Sequence, residues 1–109
     1  MANNIIKLEF GQVKILDQIL IAELNEGVLF SVENNQKLLE IGREYFGDKA
    51  YVYISNRTYS YAVDPMVYRD SAAVDNLQAI AVVSLNPLTR LNAFEVEKKF
   101  YKDNAAFEV

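Results

Sequence analysis

The sequence contains neither cysteine nor histidine. Without cysteine there is no disulfide framework, no thiolate nucleophile and no zinc–sulfur site. Without histidine the commonest general base and the commonest transition-metal ligand are missing. Oxygen-ligand metals such as Mg²⁺ or Ca²⁺ remain open on composition alone. Glycine is sparse as well: Gly11, Gly27, Gly42 and Gly47 are dispersed, so no glycine-rich loop can cradle a phosphate.

Basic charge is also short. The net charge is −4, and the eleven Lys and Arg are scattered. Only Lys98, Lys99 and Lys102 gather, and they stand among Glu95, Glu97 and Asp103, as on a solvated helix face. No basic footprint for nucleic acid is present. No apolar run reaches the length of a membrane span. Met1-Ala2-Asn3-Asn4 has no basic stretch, and the residues after it alternate apolar with charged. No secretory signal is read there, and the expected location is the cytoplasm.

What is present is an ordinary globular mix. Half of the 109 residues are hydrophobic and 24% are charged. That length suits a single domain, 1–109, with one core.

The first quarter has a period of two. Ile6, Leu8 and Phe10 alternate with Lys7 and Glu9, Val13 and Ile15 flank Lys14, and Ile19 to Leu24 is a third extended run. The short connections predict an antiparallel meander. A helix follows over 31–46, with Ser31 as N-cap, Leu38, Ile41, Gly42 and Tyr45 on one stripe, and Gly47 just past the end.

Residues 51–55 are β-branched and aromatic, as in a strand. Asp64-Pro65 opens a short helix over 65–74. Ala79 to Val83 is apolar on both faces, which predicts a strand buried on both sides. Asn86-Pro87 opens a third helix over 88–102, and 105–109 is a short last strand. The fold class is therefore α/β: a mixed sheet of five to six strands, an antiparallel meander followed by βαβα units with right-handed crossovers. The predicted core includes Phe10, Ile15, Ile21, Leu38, Ile54, Ile80, Val82 and Leu91.

The polar loop from Ser55 to Asp64 is the most informative segment. It follows the carboxyl end of a strand and precedes a helix, where α/β sheets tend to hold ligands. Ser55, Asn56, Arg57, Tyr59, Ser60, Tyr61 and Asp64 are the candidate ligand- or partner-binding residues. Arg57 offers charge-assisted contact, the tyrosines offer flat amphipathic area, and the helix start offers N–H groups to an anion. The plainer reading is that Arg57 meets a nearby carboxylate, the tyrosines pack and Asp64 only caps a helix. Ser55, Thr58 and Ser60 have no activating base, but they are placed as phosphorylation targets. The close carboxylates, such as Glu40 and Glu44, fit no metal or catalytic spacing. Nothing points to an enzyme, a cofactor or a metal.

The stretch Tyr53-Ile54-Ser55-Asn56-Arg57, then Tyr59-Ser60-Tyr61-Ala62-Val63-Asp64-Pro65, then Ala79-Ile80-Ala81-Val82-Val83-Ser84, resembles small bacterial proteins of the STAS-like (SpoIIAA-like) class. The resemblance covers nearly the whole chain. It implies a sheet with helices wound along it and a regulatory role through partner binding or small-ligand sensing. The class's phospho-switch serine sits in an Asp-Ser-Ser-Gly-like motif. Here the matching place holds Val63-Asp64-Pro65-Met66, so that role is not carried over.

The expected function is a non-catalytic interaction or regulatory module with a protein partner. The alternative is a small carrier or sensor of an apolar or anionic ligand, as a looser resemblance to Sec14-type domains implies, with Tyr45, Tyr53, Tyr61 and Tyr68 lining the pocket. Self-association as a symmetric homodimer is also expected, since apolar content is high and 105–109 offers a free strand edge.

Overall fold

A computed structural model describes residues 4–57, 62–64, 66–92 and 106–108. Three strands open the chain: β1 (Asn4–Leu8), β2 (Gly11–Leu16) and β3 (Ile19–Leu24). They pair antiparallel in chain order, as the meander reading expects. Asp17 makes the tight turn between β2 and β3 with φ 53°, a left-handed conformation that aspartate tolerates. The next elements are β4 (Leu29–Phe30), α1 (Val32–Phe46), β5 (Tyr51–Asn56), β6 (Ala62–Val63), α2 (Met66–Ala72), β7 (Leu77–Val83), α3 (Pro87–Asn92) and β8 (Ala106–Glu108).

The main sheet runs β1-β2-β3-β5-β7-β8, and β3, β5, β7 and β8 are mutually parallel. The mixed α/β sheet is therefore as the sequence implies. The parallel strands follow one another without reversal, so repeated crossovers of one hand stack their helices on one face. The described contacts agree. Asn35 of α1 donates to Ser71 of α2 at 3.1 Å, so the two helices lie side by side on the same face.

Helix α1 forms where its caps dictate. Ser31 Oγ accepts from the Asn34 backbone N–H at 3.1 Å. At the other end, Gly47 takes φ 57° and its N–H reaches the Arg43 carbonyl at 2.9 Å. The buried stripe is Asn35, Leu38, Gly42 and Phe46. Tyr45, expected on that stripe, is 43% exposed, because the face turns through Phe46 instead.

The core lies between these helices and one face of the sheet. Phe10, Val13, Ile15, Leu20, Ala22, Leu24, Leu38, Phe46, Tyr51, Leu77, Ile80 and Val82 are all buried there. Three expected core residues differ. Ile21 and Ile54 are half-buried on the opposite face of the sheet, since alternate strand residues face opposite ways. Leu91 is 56% exposed on α3. The β7 strand is not buried on both sides either: Ile80 and Val82 are buried, while Ala79 and Ala81 are half-buried and Val83 is exposed. Residues 93–102 of the expected third helix lie outside the described residues.

Candidate functional site

A second sheet, too short to show any period, positions the end of the candidate loop. Leu29 and Phe30 of β4 pair parallel with Ala62 and Val63 of β6. The Asp64 N–H reaches the Phe30 carbonyl at 3.0 Å. This fixes the start of α2 beside the start of α1. Asp64 Oδ1 accepts from the Met66 N–H at 3.0 Å, so Asp64 does cap α2.

At the other end of the loop, Ser55 is buried on the core face of β5. Its Oγ accepts from Arg57 Nε at 3.0 Å. The Arg57 N–H donates to the Val83 carbonyl at 2.8 Å, extending the pairing between β5 and β7. Asn56 and Arg57 are half-buried. Thr58, Tyr59, Ser60 and Tyr61 lie outside the described residues, as does the side chain of Tyr68. Asn56, Arg57 and Asp64 therefore share the carboxyl edge of the sheet, whereas Ser55 points into the core.

The same edge carries residues that sequence reading did not single out as a site. After Val83 the chain turns over Ser84, whose Oγ accepts from the Asn86 N–H at 3.0 Å. Asn86 Oδ1 then caps α3 through the Leu88 N–H at 2.9 Å. On this frame Leu85 is fully exposed, Leu88 is 76% exposed and Leu91 is 56% exposed. Arg90 reaches back to the Ser84 carbonyl at 3.4 Å. Leucines spaced by three are the usual signature of a buried stripe. Only the fold shows that these leucines are exposed.

An anion site is poorly served at this edge. Ser31, Asp64 and Asn86 each take an amino-end N–H of their helix. Asp64 adds negative charge where an anion would sit. Among the described strands the parallel run also has no topological switch point, the usual origin of a ligand crevice in such sheets.

Beneath α1 and α2 lies a cavity of about 10 Å³, lined by Leu20, Leu38, Tyr53 and Leu77 around the Asn35–Ser71 pair. That is room for about one water molecule, far below the space a lipid occupies. Of the tyrosines expected to line a ligand pocket, Tyr53 lies against this small cavity and Tyr45 is exposed on α1. Asn35 and Ser71 are buried and bonded to each other. Sequence reading missed this pair. A signal for Asn35 was present, since it stands one helical turn before Leu38 on the buried stripe of α1.

Among the described residues no group of three or more His, Cys, Asp or Glu converges as metal ligands would. No described helix is long and apolar enough to cross a membrane. Comparison with protein-family models, with curated proteins and with solved structures finds no match.

Proposed function

We propose that this domain is a non-catalytic interaction module that holds a partner protein at the carboxyl edge of its sheet. The observation that carries the reading is the exposure of Leu85, Leu88 and Leu91 on and just before α3. Scattered single leucines on a surface are ordinary, but three exposed leucines within one short segment concentrate apolar surface locally, as interfaces do. Asn56 and Arg57 stand beside it through the bond to Val83. Arg90 lies within the tract itself. The fitting partner is a protein segment that presents apolar side chains flanked by carboxylates. Tyr59, Ser60 and Tyr61 join this proposal on sequence grounds alone.

The STAS-like reading is part of the same proposal. Its support is the likeness of residues 53–65 and 79–84, together with helices wound along one sheet face. A regulatory role inside a bacterial cell follows from that likeness only.

A photo-crosslinking residue placed at Leu88 tests the reading, with Lys37 on the exposed side of α1 as control. A discrete adduct from native extract at position 88, absent at 37, is the expected result. Equal labelling at both positions, or none at 88, would count against the carboxyl edge.

A further inference from the structure

We draw no further inference here: the strongest candidate, the half-buried apolar face that Ile21, Ile54 and Ala81 form across β3, β5 and β7, carries nothing, because nothing in the structure shows what covers it.

Discussion

Gly42 lies directly against the hydroxyl of Tyr51: a β-carbon built at Gly42 would stand 2.8 Å from Tyr51 Oη and 3.0 Å from the ring carbon that bears it. The tyrosine ring is stacked on Phe46 at 4.6 Å, with 9° between the planes. Helix α1 thus meets β5 through a glycine-sized gap filled by an aromatic ring. Gly42→Ala should destabilise the fold by about 1–3 kcal/mol despite the better helix propensity of alanine, because overpacking outweighs propensity at a closed contact. Adding Tyr51→Phe removes the nearer of the two clashes. Urea midpoints of the double variant should therefore recover part of the loss.

Tyr51 also links stability to alkaline pH. Burial pushes its phenol above the ordinary tyrosine value, partly offset by the charge of Arg43. Folding then favours the neutral phenol. The stability it lends is complete below about pH 10 and is lost as pH climbs through the raised value, where the unfolded chain ionises first. Between about pH 9 and pH 11 the native midpoint should fall further than that of Tyr51→Phe. Equal losses would show that burial of this hydroxyl is not coupled to folding.

The Asn35–Ser71 pair joins α1 to α2 inside the core. Ser71→Ala leaves a buried amide short of a partner, and should cost about 1–3 kcal/mol. Replacing both, as Asn35→Leu with Ser71→Ala, should cost less than the sum of the single changes. Thermal melts of the four species measure the coupling directly. Strict additivity would mean that the bond contributes nothing.

Ile80 and Ile54 occupy neighbouring central strands but opposite faces. Ile80→Ala opens a cavity in the packed side and should cost about 2–5 kcal/mol. Ile54→Ala should cost clearly less, because its side chain already meets solvent. Equal costs would mean that both faces of the sheet are covered.

The meander, the α1 caps and the Asp64 cap are legible in the sequence, since each rests on local chemistry: alternation, a hydroxyl or carboxylate before a helix, glycine after one. The faces of β3, β5 and β7 are not. Ile21 and Ile54 are as apolar as Leu20 and Ile80, so composition cannot say which side receives the helices. That depends on the strand order, which is a long-range property. The short β4–β6 pair is invisible because two residues carry no period. Leu85, Leu88 and Leu91 mislead for a related reason. A helical spacing of leucines shows that an apolar stripe exists, but not that the chain's own core covers it.

The carboxyl-edge leucines carry the functional account, and one triple variant addresses it: Leu85→Ser, Leu88→Ser and Leu91→Ser together. Its urea midpoint and its retention of the species cross-linked through position 88 should be measured on the same preparation. The account predicts a midpoint within roughly 1 kcal/mol of the native chain, since exposed positions contribute little to folding, and loss of the partner. A collapsed midpoint would place the leucines in the core, and a stable variant that keeps its partner would remove the carboxyl edge as the interaction surface.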